Sequence, residues 1–358
     1  MSVYGVIIAG GQGKRLWPLS RISKPKPTLA IGRDKPLIRQ VMERLENVTE
    51  RKNVFVVTNE EVFAPIYDAV KELSVVNVIT EPISRNTAAA IGLAAIHITE
   101  REQNPVMIVM PADHYIEDDN KLSLLLKAAI DACEKINGVV IFGVKPASPS
   151  TNYGYIEKGE TSSLKDTPGL YRVRRFTEKP DMQLAEQFIK EGYLWNAGIF
   201  VAKADIMLAA IKKYMPELSD ALNRIKKQLK GPYERKTIKE EYIKLQDLSI
   251  DKGIIEKLDN VYVIEMNTGW ADLGSFEQLA GIAIKQDEKG NRRIGNGIDI
   301  GSSNNIVMNE YGFVVTANIS DIIVIASSGV VLVTKKGSDE TISKIVNILR
   351  EKNLKEYL

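Results

Sequence analysis

One cysteine, two histidines and no long apolar run are what this 358-residue chain has least of. A lone Cys133 excludes an internal disulfide, and with only two histidines beside it no zinc set of the usual nitrogen and sulfur ligands can be assembled. Cys133 reads instead as a core or helix-packing residue. No apolar stretch approaches the ~20 residues of a spanning helix. The opening Met1-Ser2-Val3-Tyr4-Gly5 leads into an apolar segment without the basic flank of a targeting sequence. The expectation is a cytoplasmic protein with no membrane partner. An excess of one charge is missing too: 48 Lys and Arg stand against 46 Asp and Glu, a formal net charge of +2. That balance supplies no global field for nucleic acid, so any anion site must be local. What is present, 44% hydrophobic and 26% charged residues, suffices for one large domain and a small one.

Short apolar runs rich in Val and Ile occur at residues 3–9, 53–58, 75–80, 106–110 and 139–144, each bounded by turn residues. Their length and composition favour buried strands. Helical patterns lie between them, at 36–47, 62–73, 87–101 and 121–135. Strand, helix, strand in repetition predicts an α/β fold: a Rossmann-like mixed, mostly parallel sheet with helices on both faces. Ligands of such sheets gather beyond the carboxyl ends of the strands. From about Tyr153 the alternation loosens, with β-like segments at 171–176, 198–202 and 261–266 and a polar helical stretch at 218–239. After Asp287, Gly- and Asn-rich turns separate short Ile/Val runs. Ile294, Ile300 and Ile306 at a spacing of six suggest inward-facing residues of a small left-handed β-helix-like domain, 287–358, behind a catalytic domain, 1–286. An amphipathic helix at 338–352, with Ile342, Ile345, Val346 and Leu349 on one face, closes it.

The first run ends in a glycine turn, Gly10-Gly11-Gln12-Gly13, followed by Lys14 and Arg15. Three glycines in four positions let backbone N–H groups converge on one anion. The turn has neither the GxGxxG spacing of a dinucleotide fold nor the GK[ST] ending of a Walker loop. Arg15 and Lys26, close downstream, are the cations that a transfer at phosphorus needs for the charge on a leaving pyrophosphate. Arg21 and Lys24 read as solvated surface cations.

The segment GGQGKRLWPLSRISKPKPTL, residues 10–29, resembles the signature of the sugar-1-phosphate nucleotidylyltransferases, GGxGTRLxPLT followed by PKPLL. Its LWPLSR wording resembles the branch that takes GTP and mannose 1-phosphate. Lys14 departs from the usual Thr, and Thr28 from the usual apolar residue. The likeness continues in order through EPISRNTA (81–88), PADH (111–114), NYGYI (152–156), FTEKP (176–180), LWNAGIF (194–200) and WADLGS (270–275). It spans roughly residues 1–280, with weaker likeness in the tail.

Asp113, just past the 106–110 strand, is a hard oxygen ligand suited to Mg²⁺, which takes one or two protein carboxylates and leaves its other positions to phosphates and water. The resemblance assigns Asp113 and Asp272 to this metal; turn or helix-cap roles are the alternative for each. Asp118 and Asp119 read as loop acids, and His114 and His97 as packing residues. The resemblance also implies that Gly10, Gly11 and Gly13 cradle the triphosphate, that Lys179 holds the sugar phosphate, and that Glu178, Asn196 and the Gly154 amide bond sugar hydroxyls. A sugar 1-phosphate is already an anionic nucleophile, so positioning and charge screening suffice without a Ser, His or Cys catalyst. Glu81 bears on the base: guanine offers N1–H and N2–H donors to an ionised carboxylate, whereas uracil offers one N–H between two carbonyls. Relatives using other bases commonly have Gln there. Asn86 and Thr87 either read the carbonyl edge of the base or cap the 87–101 helix. The resemblance further implies a homodimer through the tail. Two other readings stay open: transfer of another nucleotide or use of glucose 1-phosphate, and a catalytically silent regulatory homologue.

Overall fold

Side chains of the first strand and the residue after it divide between two cores, Tyr4 and Val6 entering one and Ile7 and Ala9 the other. The same division recurs at Phe55 and Val57 against Val54 and Val56, and at Met107 and Val109 against Val106 and Ile108. A strand whose two faces are both apolar must be covered on both sides. The computed structural model describes residues 2–162, 164 and 169–358. Its strands are β1 (Val3–Ile8), β2 (Val54–Asn59), β3 (Val78–Glu81), β4 (Val106–Pro111), β5 (Tyr115–Ile116), β6 (Val139–Val144), β7 (Gly154–Thr161), β8 (Leu170–Glu178), β9 (Leu194–Lys203), β10 (Val261–Glu265) and β11 (Trp270–Ala271). Nine of them form one sheet in the order β3-β2-β1-β4-β9-β6-β10-β8-β7, with β5 and β11 paired separately. The β3-β2-β1-β4 pairs and the β6–β10 pair are parallel, and the pairs made by β9 and β8 are antiparallel. Seven of the nine strands, all but β8 and β9, run in one direction, so the sheet is mixed and mainly parallel.

Helices α1 (Leu37–Glu46), α2 (Phe63–Ala69) and α4 (Asp119–Lys135) cover one face. On the other lie α3 (Asn86–Thr99), α6 (Ala204–Tyr214), α7 (Pro216–Lys226), α8 (Glu234–Tyr242) and α9 (Ile250–Gly253). Helix α3 is apolar nearly all round because α6 and α7 enclose it: a Cβ on Gly92 would meet Leu222 at 2.6 Å. Helix α5 (Met182–Lys190) packs Phe188 in a small aromatic cluster with Tyr155 and Tyr193. The polar stretch expected as one helix at 218–239 is two, α7 and α8, separated where Gly231 and Pro232 interrupt the pattern. The run at 75–80 becomes a strand only at Val78; Val75 and Val76 are exposed. Cys133 is buried in the core.

After α10 (Phe276–Ala283), the tail forms β12 (Arg292–Ile294), β13 (Gly297–Ile300), β14 (Ile306–Asn309), β15 (Val314–Ala317), β16 (Ile322–Ser327), β17 (Val330–Lys335) and α11 (Asp339–Glu351). Parallel ladders join β12 to β14 to β16 and β13 to β15. The expected spacing of six is not the repeat. Ile306 is buried, but Ile294 and Ile300 point outward at 43% and 55% exposure. The register Ile306↔Ile323 and Gly297↔Val314 sets a longer coil, whose interior is filled by Ile306, Ile323 and Ile325 and by asparagine side chains such as Asn305 that bond backbone turns. Ile342 and Val346 of α11 are buried as the amphipathic pattern requires, with Ile345 and Leu349 at the margin.

Candidate active site

Parallel pairing brings the strand ends to one edge. Ile8 of β1 stands opposite Pro111 of β4, so the glycine turn and Asp113 emerge side by side. Asn59 of β2 pairs with Glu81 of β3 at the same edge, and the Asn59 amide donates to the Gly10 carbonyl at 2.6 Å and to Ser84 Oγ at 2.9 Å. The two-residue ladder β5–β11 does the rest. Ala271 opposes Tyr115, which places Asp272 at the same end as Asp113 although 159 positions separate them in sequence (272 − 113).

Lys26 lies between these aspartates and is 5% exposed. Its Nζ donates to Asp113 Oδ2 at 2.7 Å and to the Asp272 carbonyl at 2.6 Å. Burial alone would raise the Asp113 carboxyl pKa, but the Lys26 ammonium and His114 outweigh it and hold it below the ordinary value. Burial keeps the His114 pKa below its own ordinary value; its Nδ1 accepts from the Trp270 indole at 3.2 Å. The Asp272 Oδ1 accepts from the Tyr153 hydroxyl at 2.9 Å and the Gly274 amide at 3.2 Å. Arg15 sits on the other side of Gly274, where a Cβ would lie 2.8 Å from Arg15 Nη2 and 3.0 Å from Asp272 Oδ2. Gly13 adopts φ +79°, and a Cβ there would lie 2.6 Å from Lys26 Cβ. Gly11 is exposed and open, so a ligand can approach its backbone.

Glu81 is 3% exposed and its Oε1 has no protein partner among the described residues. Burial pushes its pKa up to about 8, and the nearby Tyr242 hydroxyl acts the other way. Asn86 and Thr87 are engaged with α9 and the segment before it: Asn86 Nδ2 donates to Asp247 at 3.0 Å, and Thr87 Oγ1 accepts from the Ile250 amide at 2.9 Å. Asn86 Oδ1 accepts from the next amide, Thr87, in a local turn with φ +63°. Neither side chain caps α3 in the usual N2 or N3 pattern.

Further along the sheet, the register of β7 and β8 sets Gly154 opposite Glu178, and a side chain at 154 would strike Glu178 Oε2 at 2.7 Å. Glu178 pairs with Lys179 at 3.1 Å; the lysine side chain is 60% exposed and its backbone is left-handed at φ +50°. Non-glycine residues in that region carry strain that packing must hold, and such strain gathers at binding sites. Asn196 donates to Asp251 Oδ1 at 2.8 Å and accepts from the Gly198 amide at 3.1 Å. Asp251, on α9, was missed in the sequence, where nothing in Ser249-Ile250-Asp251 marks it. Burial and the Glu178 carboxylate push its pKa up to about 7. Asp339, at the start of α11, was also missed: burial raises its pKa, with Glu277 and Asp272 adding to the rise and Arg15 opposing it.

The residues expected to be bystanders divide. Asp118 caps α4 by accepting from Lys121 N, and Asp119 pairs with Arg33 and with buried Arg44. His97 is a half-buried residue of α3. Arg21 is no solvated cation: 5% exposed, it donates to the carbonyls of Pro18, Ser327 and Glu356.

The arrangement gathers glycine amides, two cations and two carboxylates at the head of a mainly parallel sheet, and the family model for nucleotidyl transferases matches residues 4–289. The chain belongs to the nucleotidyl transferase family. Among family relatives, a mannose-1-phosphate guanylyltransferase of Escherichia coli K12 is 32% identical over 361 residues, covering 99% of this chain and 75% of that one. A second, mannose-1-phosphate guanylyltransferase 2 of Escherichia coli O157:H7, is 31% identical, with coverage of 99% and 75%. A crystal structure from Thermus thermophilus, described as a mannose-1-phosphate geranyltransferase, superposes with a TM-score of 0.86 at 29% identity, covering 98% of this chain and all of that one. No helix among the described residues is long and apolar enough to cross a membrane.

Proposed function

We propose that the chain transfers GMP from GTP to mannose 1-phosphate, giving GDP-mannose and pyrophosphate. The observation that carries the choice of base is Glu81, a buried carboxyl beside the glycine turn with an unpartnered oxygen. A buried acceptor without a donor is costly, and the N1–H and N2–H of guanine would satisfy both of its oxygens. The names of the relatives supply the sugar.

A sugar-phosphate oxygen attacks the α-phosphorus of GTP, and the bond from that phosphorus to the bridging oxygen breaks, leaving pyrophosphate. Lys26 and Arg15 donate to the oxygens on which charge grows, where fixed donors act most strongly. Lys179, exposed and paired only with Glu178 among the described residues, holds the phosphate of the acceptor. Glu178, Asn196, Asp251 and the Gly154 amide bond its hydroxyls. Asp113 and Asp272 form a hard-oxygen pair that fits Mg²⁺ with phosphate oxygens as its remaining ligands. Bound there, the ion would screen the charge that accumulates on the phosphates.

One observation favours a second reading. With its pKa at about 8, Glu81 is mostly protonated at neutral pH before a nucleotide binds. A carboxyl group presenting one donor and one acceptor also matches the N3–H and O4 of uracil, so UTP or dTTP is the alternative nucleotide. The test is purified protein with Mg²⁺ and a matrix of four nucleoside triphosphates against mannose and glucose 1-phosphates, scored for pyrophosphate. GTP with mannose 1-phosphate should exceed every other pair; preference for another pair would overturn the assignment. We also propose a homodimer through the outer face of β13 and β15, where Ile298, Ile300, Phe313 and Val315 stand exposed.

A further inference from the structure

The segment bearing the glycine turn is docked on the tail. The Trp17 indole donates to the Tyr357 carbonyl at 2.7 Å, Arg21 bonds the Ser327 and Glu356 carbonyls, and Lys24 pairs with Glu310 at 2.8 Å. Leu16, Trp17, Leu29 and Ile31 share one core with Ile306, Ile325, Ile342 and Val346. Helix α11 then touches the turn itself. Lys14 donates to Asn347 Oδ1 at 3.2 Å, and Arg350 Nη2 donates to Gln12 Oε1 at 3.3 Å and to Glu61 Oε1 at 2.7 Å.

The Gln12 amide is the informative group. A guanidinium has donors only, so the amide oxygen must face Arg350 and the NH₂ must face away. That Nε2 is buried, Gln12 is 7% exposed, and no partner meets it among the described residues. The backbone of Gln12 is already fixed, its carbonyl accepting from Lys26 N at 3.3 Å and from Ser20 Oγ. A buried NH₂ of fixed orientation, on the residue between Gly13 and the open, exposed Gly11, lacks an acceptor that a phosphate oxygen would provide.

We propose that Gln12 donates from Nε2 to the triphosphate and that Arg350 of the tail is its positioning residue. Arg350 holds the amide oxygen, so the NH₂ faces the ligand, and the tail thereby completes a nucleotide site built in the other domain. The inference rests on the nucleotidyltransferase reading of the glycine turn and is independent of which base or sugar is used.

The test is steady-state kinetics on the full chain with the triphosphate the wild type uses best. Gln12→Ala should raise KM for the triphosphate ~10-fold, the scale of one hydrogen bond to a charged group. KM for the sugar phosphate and the melting temperature should not move. Arg350→Met should act in the same direction by ~3- to 10-fold, Arg350→Lys should recover part of the loss, and the double variant should be no worse than Gln12→Ala alone, because the two residues act through one contact. Gln12→Glu, which keeps the Arg350 contact but sets an anion against the phosphates, should be worse than Gln12→Ala. Additive losses, equal effects on both substrates, or a wild-type KM in Gln12→Ala would each overturn the proposal. A wild type that prefers UTP or another sugar would overturn only the substrate assignment above. Should no pair turn over, calorimetric GTP binding with Mg²⁺ reads the same variants, and a wild type that binds no triphosphate would sink both.

Discussion

Lys26 faces Asp113 at 2.7 Å at the head of the sheet. The same ammonium donates to the Asp272 carbonyl, so one cation ties together the two chain segments that carry the acidic residues. Removing it therefore disturbs both charge balance and geometry. Lys26→Ala should lower kcat by ~10²- to 10⁴-fold, because donors aimed at developing phosphate charge act in the transition state. Arg15→Ala should do the same. A change confined to KM would reassign either residue to uniform binding.

Asp113→Asn and Asp272→Asn should leave the fold intact and abolish most turnover, since each exchange removes an anionic hard ligand while nearly keeping its shape. Circular dichroism checks the fold, and a Mg²⁺ titration of initial rate checks the site. A variant whose rate follows the wild-type Mg²⁺ dependence would lose its place there.

On the proposed reading, Glu81 should make GTP affinity depend on pH. Its pKa of about 8 lies above the ordinary carboxyl value, and two guanine donors would favour the ionised form, so binding releases a proton below pH 8. Affinity should tighten as pH rises from 6 to 8, by at most ~10-fold per unit, and level off above. Glu81→Gln should remove the dependence, weaken GTP by ~1.5 to 3 kcal/mol and move the GTP to UTP ratio toward UTP. Affinity that weakens as pH rises through 8 would mean that the protonated carboxyl reads the base, and a flat profile would mean that Glu81 does not read it.

Asp251 gives a prediction on each side. Asp251→Ala should raise KM for the sugar phosphate by ~5- to 20-fold and leave KM for the nucleotide alone, as loss of a hydrogen-bonding carboxyl implies. Its folded pKa of about 7 exceeds the ordinary 3.8, so the folded state keeps a proton that the unfolded chain releases. Stability contributed by this group is then full below about pH 4 and lost as pH rises toward 7. Asp251→Asn should flatten the melting temperature across that window; an unchanged slope would refute the shift.

Phe313→Glu with Ile298→Glu should convert a dimer to a monomer in light scattering, because charge on an apolar face opposes its burial. A wild type that is monomeric at micromolar concentration would remove the interface.

The sheet and the order of its motifs were legible because buried strands and apolar helices leave compositional marks. The GGQGKR turn after β1 and PAD after β4 fall where a parallel sheet collects ligands. Three kinds of feature left no such mark. Short pairings are invisible locally: nothing in Tyr115-Ile116 or Trp270-Ala271 announces the ladder that joins Asp113 to Asp272. Burial of polar groups depends on distant partners, so Arg21 looked solvated until the carbonyls of Ser327 and Glu356 enclosed it, and Asp251 looked ordinary until Asn196 met it. Periodicity misled where the coil is long: Ile294 and Ile300 share a sixfold spacing with Ile306, but the ladder register sends them outward.

Gly13 stands against Lys26 as well as in the turn, for a methyl group there would overlap the base of the lysine side chain. Gly13→Ala would therefore displace the ammonium from Asp113 before it troubled any phosphate, and its kinetic signature should mimic loss of the lysine. The glycine that looks like a concession to the ligand is equally a seat cut for the cation.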